Sequence, residues 1–362
     1  MTPTTPKRLL IAASGTGGHL FPALAVAEAL SDYEITWLGV PDRLEVTLIP
    51  PHYPLKTVAI GGMQQGLGLS TLGLLGRMTL AMLQVRRWLK QGHFCGVFTT
   101  GGYIAAPAIL AARSLGLPVI LHESNAIPGK VTTWLSRWCT VTAIGFAQAA
   151  ARLPQARTMT VGTPVRSQFF QSTQAPLPLA VPDTAPLLVV VGGSQGAVAV
   201  NQLVRQCAPT WLEAGIWIVH LTGEHDPDRW ALQHPHYLAL PFWEQMASLL
   251  TRANLVISRA GAGSLTELAI TGTPSILIPY PYAAEDHQTY NAQIFADAGA
   301  ALWLPQSQLT PELLREKVLS LLQAEGALAQ MAKRAQAIAV PDSAQQVANL
   351  IRQLSDPSGI LG

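Results

Sequence analysis

Charge and cysteine are both scarce in this 362-residue chain. Aspartate, glutamate, lysine and arginine make up 12% of it and hydrophobic residues 49%, a balance that excludes a disordered chain. The formal net charge of +2 lacks the strong positive excess of a nucleic-acid-binding protein, so no nucleic acid partner is expected. Only three cysteines occur, Cys95, Cys139 and Cys207, and their wide separation excludes a paired framework or a cysteine metal site. They are expected to be reduced core residues of a cytosolic protein. No uninterrupted apolar run reaches the roughly 18 residues of a membrane span, because Arg77 and Arg113 break the two best candidates. The apolar run at the N-terminus passes straight into a glycine turn and is expected to be a strand rather than a leader. Neither glycine turn described below is followed by Gly-Lys-Ser/Thr, which excludes a nucleoside triphosphatase loop. No Asp-x-Asp metal site is evident, and no cofactor or metal is expected.

What is present is a grammar stated twice. RLLIAA, ITWLGV, GVFTT, PVILHE and TVTAIG alternate with helical patterns such as FPALAVAEAL in the first half. LLVVVGG, IWIVHLTG, NLVISRAG, PSILIPY and GAALWLP repeat the scheme in the second. Alternating strands and helices of this kind predict parallel, doubly wound sheets, and the length predicts two of them. The break is expected near Thr163-Pro164, giving domains 1–164 and 165–340. A final amphipathic helix, about Ala344 to Leu354 and capped by Asp342 or Ser343, is expected to rejoin the first domain. Residues 1–165 carry 13 lysines and arginines against 6 acidic residues, and the remainder 10 against 15. That asymmetry suggests that the first half meets an anionic surface or ligand.

Each half opens with a strand that ends in glycines: Ser14-Gly15-Thr16-Gly17-Gly18-His19 and Gly192-Gly193-Ser194-Gln195-Gly196. A strand, a glycine turn and a helix N-terminus present free N–H groups and a positive dipole end to an anion. A dinucleotide-type hydride-transfer enzyme is the weaker alternative, since the third fingerprint glycine is missing and no convincing acidic residue closes the second strand. A third cluster runs Ser258-Arg259-Ala260-Gly261-Ala262-Gly263-Ser264-Leu265-Thr266-Glu267. There Ser264 and Glu267 have capping-box spacing, while Glu267 could instead accept hydrogen bonds from a ribose diol. Polar groups from Glu285 to Asn291 follow the PSILIPY strand, where the ends of parallel strands line ligand crevices.

These clusters, with Gly101-Gly102-Tyr103, His122 to Asn125, Gly162 to Arg166, Gly192 to Ala197 and PYPYAAEDHQTYNA, resemble in order and spacing the N-acetylglucosaminyltransferases of peptidoglycan synthesis, in glycosyltransferase family 28. The likeness covers nearly the whole chain. It implies an α/β fold of the GT-B type, two Rossmann-like domains with mainly parallel sheets facing each other across a cleft. It implies inverting transfer of N-acetylglucosamine from UDP-GlcNAc to the muramoyl O4 of undecaprenyl-diphospho-N-acetylmuramoyl-pentapeptide. By the same resemblance Thr16, Gly17, Gly18, Asn125, Arg166, Ser194, Trp243, Gly263, Ser264, Leu265, Glu267 and Gln288 match donor-binding positions, and His19, Tyr103 and Asn125 acceptor-side ones. The chain departs from the family pattern at Ser14, at Thr163, which stands where asparagine is common, and at Gln64-Gln65, which stand where basic residues are usual.

Inverting transfer needs a base near the acceptor hydroxyl and neutralisation of the departing UDP. His19 and Glu267 are the residues expected to carry the reaction, His19 as the base and Glu267 on the donor ribose. A structural or phosphate-binding His19 is the alternative. His122 and Glu123 end a strand and are expected to be a satisfied core pair. With a polyprenyl acceptor the protein would sit peripherally on the cytoplasmic face of the bacterial plasma membrane. The stretch from Leu67 to Lys90, apolar but carrying Arg77, Arg86, Arg87 and Lys90, suits an anionic membrane surface. A sugar-nucleotide epimerase of the same architecture and a purely structural scaffold are the remaining alternatives.

Overall fold

The structure, a computed structural model, describes residues 6–41, 43–60, 69–171, 177–193 and 196–355. The chain divides into two compact units, Met1–Arg166 with Pro341–Gly362, and Ser167–Val340. Arg166 therefore goes with the first unit. That unit runs β1 (Lys7–Ala12), α1 (Gly17–Glu28), β2 (Tyr33–Gly39), α2 (Glu45–Leu48), β3 (Leu55–Thr57), α3 (Leu69–Gln91), β4 (Phe94–Thr99), α4 (Ala105–Arg113), β5 (Val119–Glu123), α5 (Lys130–Leu135), β6 (Val141–Ile144) and β7 (Thr158–Thr160). The second unit runs α6 (Gln168–Gln171), β8 (Leu187–Val191), α7 (Val198–Glu213), β9 (Trp217–Leu221), β10 (Tyr237–Leu240), α8 (Met246–Arg252), β11 (Leu255–Ser258), α9 (Ala262–Thr271), β12 (Ser275–Leu277), α10 (His287–Asp297), β13 (Leu302–Trp303), α11 (Pro311–Gln323) and α12 (Ala327–Ala337). The last helix, α13 (Ser343–Leu354), belongs to the first unit.

Among the described residues the sheets are ordered β3-β2-β1-β4-β5-β6-β7 and β10-β9-β8-β11-β12-β13, with every strand pair parallel. Every strand read from the sequence is present. The three strands it did not yield, β3, β7 and β10, are short edge strands of three or four residues, and two of them lack the hydrophobic run that marks a central parallel strand.

Side-chain alternation along β1 shows how the first unit is filled. Leu9 and Ile11 point to a core shared with α1, Trp37 and α13 residues Val347, Ala348 and Ile351. Leu10 and Ala12 point to the opposite core, shared with α3 and α4 residues such as Val85, Leu89 and Ile109. Burying Ile351 alone contributes about 1.5–3 kcal/mol to holding α13 in place. Asp342 stands at the N-cap of α13, but its carboxylate accepts from the Gln346 side chain at 2.9 Å rather than from a backbone amide. At the other end Arg352 pairs with Asp32 at 2.6 Å and holds that carboxyl below its usual range.

Both sheets reverse their order once near the middle, between β1 and β4 and between β8 and β11. Loops leave a parallel sheet in opposite directions at such a point, which opens a crevice beyond the strand ends. His19 and the start of α9 stand at these points.

Candidate active site

In the first unit the chain leaves β1 through Gly15, at φ +103°, and enters α1 with Thr16 as N-cap, whose side chain makes no capping bond. His19 follows in the first turn and reaches across the reversal to β4: its Nδ1 lies 2.7 Å from the Thr100 carbonyl. A carbonyl only accepts, so in the neutral ring Nδ1 carries the proton and Nε2 keeps its lone pair. The Thr100 hydroxyl donates back to the His19 carbonyl at 2.9 Å. Gly101 and Gly102, both at positive φ, fold over the imidazole, and a Cβ on Gly102 would stand 3.7 Å from His19 Nε2. Exposed Tyr103 comes next.

Three further elements bear on this turn. Glu45, fully buried in α2, accepts from Ser14 Oγ at 2.5 Å, from the Gly15 amide at 3.3 Å and from the Val40 amide at 2.7 Å. This acidic residue lies in α2, beyond the end of β2, and it binds the turn itself. This also gives Ser14 a role that glycine could not fill. Glu123, at the end of β5, receives the backbone and side-chain N–H of Asn125 at 3.0 and 3.1 Å and the Gly129 amide at 3.0 Å, which fixes the loop that carries Asn125. His122 is buried, its pKa lowered mainly by desolvation, and its Nε2 lies 2.9 Å from the Gly162 carbonyl. Arg166 stacks its guanidinium 4.0 Å from the ring centre of Phe21, one turn along α1 from Gly17.

In the second unit the chain passes from β11 through Arg259 and Ala260 to Gly261, the N-cap of α9. Ser264 is therefore the third residue inside the helix and Glu267 lies beyond its first turn. The capping-box reading of this pair is corrected: the spacing is right, but the helix starts three residues earlier. The N–H groups of Ala262, Gly263 and Ser264 are those a helix leaves without an internal partner, and nothing stands within 4 Å of a Cβ built on Gly261 or Gly263. Leu265 is fully buried and its amide bonds to the Gly261 carbonyl at 3.0 Å, so its side chain supports the helix from below. Gln288 Oε1 accepts from the Ala260 amide at 3.2 Å and the Tyr280 amide at 2.9 Å, clamping the two loops together.

Arg259 is buried, with Nη1 donating to the Ile278 and Pro279 carbonyls at 3.1 and 3.0 Å, and no carboxylate among the described residues pairs with it. Desolvation brings its pKa down to about 10, so it remains a cation. Trp243 is half-buried after β10, and its indole N–H finds no acceptor among the described residues. Ser194, Gln64 and Gln65 lie outside the described residues.

Sequence reasoning had passed over Glu45 and Phe21 and had given Arg259 no role of its own. It also missed an Asp-x-Asp spacing at Asp226-Pro227-Asp228. The Asp226 carboxylate there is engaged by Arg205 at 2.7 Å, and no group of three or more histidine, cysteine, aspartate or glutamate side chains among the described residues could hold a metal ion. Of the cysteines, Cys207 is buried and the other two are half-buried; all three are free.

Models of the glycosyltransferase family 28 N-terminal and C-terminal domains match residues 9–144 and 187–347. A Trichormus variabilis protein named UDP-N-acetylglucosamine–N-acetylmuramyl-(pentapeptide) pyrophosphoryl-undecaprenol N-acetylglucosamine transferase is 64% identical over 350 residues, covering 96% of this chain and 98% of that one. The chain belongs to glycosyltransferase family 28. The crystal structure of Acinetobacter baumannii MurG matches it with a TM-score of 0.74 at 32% identity, over 96% of this chain and 100% of that one. A Listeria monocytogenes structure named for a UDP-N-acetylglucosamine 2-epimerase reaches a TM-score of 0.69 at 13% identity, over 96% of each chain. That likeness shows only that the fold is shared. Fold alone would not separate a family 28 glycosyltransferase from an epimerase; sequence identity along the whole chain does.

Proposed function

We propose that this glycosyltransferase moves N-acetylglucosamine, with inversion, from UDP-GlcNAc to the muramoyl O4 of undecaprenyl-diphospho-N-acetylmuramoyl-pentapeptide, lipid I, yielding lipid II for peptidoglycan. The observation that carries this reading is the 64% identity, over 96% of the chain, to an enzyme named for that donor and acceptor. His19 supplies the base: with Nδ1–H held by Thr100, Nε2 takes the O4 proton as O4 bonds to the anomeric carbon. The bond from that carbon to the phosphate oxygen breaks, and its electron pair leaves with UDP. Charge building on the diphosphate is met by the N-terminus of α9 and by the buried Arg259 guanidinium. Glu267 accepts from the ribose hydroxyls. Gln288, whose oxygen is spent on the backbone, offers its NH2 group, and Trp243, Gly263, Ser264 and Ser194 complete the donor contacts of the second unit. Thr16, Gly17, Gly18 and Arg166 extend the donor contacts, and Tyr103 and Asn125 serve the acceptor side.

Peripheral attachment to the cytoplasmic face of a bacterial plasma membrane belongs to the same reading. No helix among the described residues is long and apolar enough to cross a membrane. On α3, Ala81, Val85 and Leu89 are buried, while Leu80 and Leu83 are exposed on the same helix as the exposed cations Arg77, Arg87 and Lys90. Apolar groups for the headgroup zone and cations for anionic lipid thus stand side by side. Replacing Leu80 and Leu83 together by glutamate should release the protein from phosphatidylglycerol vesicles while leaving UDP binding unchanged; unchanged vesicle binding would exclude this face.

The reaction is tested by following UDP release from UDP-GlcNAc with and without the undecaprenyl-linked muramoyl-pentapeptide. Release only with the acceptor is expected. Epimerisation or hydrolysis of the donor without it would overturn the proposal.

A further inference from the structure

The second unit buries a set of polar side chains that have no part in the mechanism above. Asn201, in the first turn of α7, and His220, within β9, are both fully buried. The amide oxygen of Asn201 can only accept, so His220 Nε2, 3.0 Å away, carries the proton and donates to it. His220 Nδ1 then accepts from the Tyr237 hydroxyl at 2.7 Å. Asn201 Nδ2 donates to the Thr222 carbonyl and to Asp226 Oδ2, each at 2.8 Å. Arg205, one turn further along α7, grips the same carboxylate through bonds of 2.7 and 3.2 Å. Arg229 fastens the loop again through the carbonyls of Gly223 and Glu224 at 2.7 and 2.8 Å. Desolvation lowers the pKa of His220 to about 3, so the ring is neutral and the direction of every bond in the chain is fixed.

Polar groups this deep are costly unless fully bonded, and α7 has no need of them to dock. Val200, Val204, Cys207, Ala208 and Trp211 already seat that helix in the core. What the network adds is a hold on the Thr222 carbonyl itself, beside the bond of the Thr222 amide to the Leu240 carbonyl at 2.9 Å. That oxygen lies so close to Gly196 that a Cβ there would collide with it. Gly196, at φ +75°, closes the glycine turn between β8 and α7, so the Thr222 carbonyl is the floor on which the turn rests.

We propose that Asn201, held by His220, Tyr237 and the Asp226–Arg205 pair, is a positioning residue for the diphosphate of the sugar nucleotide. It fixes Thr222 beneath Gly196, and so sets the height at which Ala197 and the first turn of α7 offer their N–H groups to phosphate. None of these side chains touches the ligand. The inference rests on the reading of the second unit as the nucleotide-binding one.

The experiment compares Asn201→Ala, Tyr237→Phe and, as a control on the same helix, Val204→Ala, measuring Tm, the Kd for UDP by calorimetry, and KM and kcat. Asn201→Ala is expected to raise the Kd for UDP and the KM for UDP-GlcNAc about tenfold, with kcat and the acceptor KM changed less than about threefold. Val204→Ala should lower Tm and leave the Kd within about twofold. Should Asn201→Ala fail to fold, Tyr237→Phe keeps the Asn201 bonds, leaves His220 loosely seated, and should raise the Kd about threefold. Unchanged UDP affinity in the folded network variants, or an equal loss in Val204→Ala, would reduce the network to ordinary stabilisation and overturn the proposal. Failure of the unaltered protein to bind UDP would overturn the nucleotide reading, and this inference with it.

Discussion

Where the sheet of the first unit reverses, its glycine turn closes on a buried carboxylate, Glu45. Where the sheet of the second reverses, the chain entering α9 is flanked by a buried guanidinium, Arg259. Both units use the same topology, but the buried side chain beside the turn is acidic in the first and basic in the second. The bulk charges run the other way, since the first half is the cationic one and the second the acidic one. Exposed lysines and arginines are screened by water and by dissolved salt, the latter within about 10 Å, whereas a buried charge acts through a medium that screens far less. Bulk charge therefore bears on the surface each unit meets, while the proposed hold on a diphosphate rests on the buried Arg259 charge.

Substitutions distinguish the two units. The largest effect is expected at His19: changing it to alanine should lower kcat by about 10²- to 10⁴-fold. The Kd for UDP, read by calorimetry, should stay where it is, because the base belongs to the other unit; weakened UDP binding with intact turnover would make His19 a phosphate ligand instead. Next comes the pair of buried charges. Arg259→Met should weaken UDP about 10- to 100-fold, while Glu45→Gln should change it by less than about threefold. Equal losses would erase the distinction between the turns. Glycine substitutions sharpen it further. Gly263→Ala places a methyl group in open space above α9, so Tm should hold while UDP affinity falls about tenfold. Gly196→Ala meets the Thr222 carbonyl and should lower Tm first. The smallest effect is expected from a chelator, which should leave turnover intact because Arg205 already engages Asp226 of the Asp226-Pro227-Asp228 pair. A loss restored by magnesium would show that another site holds metal.

Much of this was legible in the sequence, for identifiable reasons. Buried parallel strands such as LLVVV announce themselves by unbroken hydrophobic runs, whereas edge strands such as Thr158–Thr160 are too short and too polar to do so. The glycine turns were readable one by one. Their pairing was not, because Thr100 becomes the partner of His19 only once β4 lies beside β1, with β2, β3 and α3 intervening in the chain. Glu45 carries no motif and sits several residues past its strand, so its grip on Gly15 could be seen only in space. Ser264 and Glu267 show the opposite failure: a correct spacing matched to a helix that begins at Ala262, with Gly261 as its cap.

Whether the second unit holds the nucleotide can be read from amide hydrogen exchange with and without UDP. Strongly slowed exchange in segments 259–267 and 280–291, with a smaller change in segments 13–20 and 99–104, is the expected result. Slowed exchange around Gly15 to His19, with α9 unchanged, would contradict it.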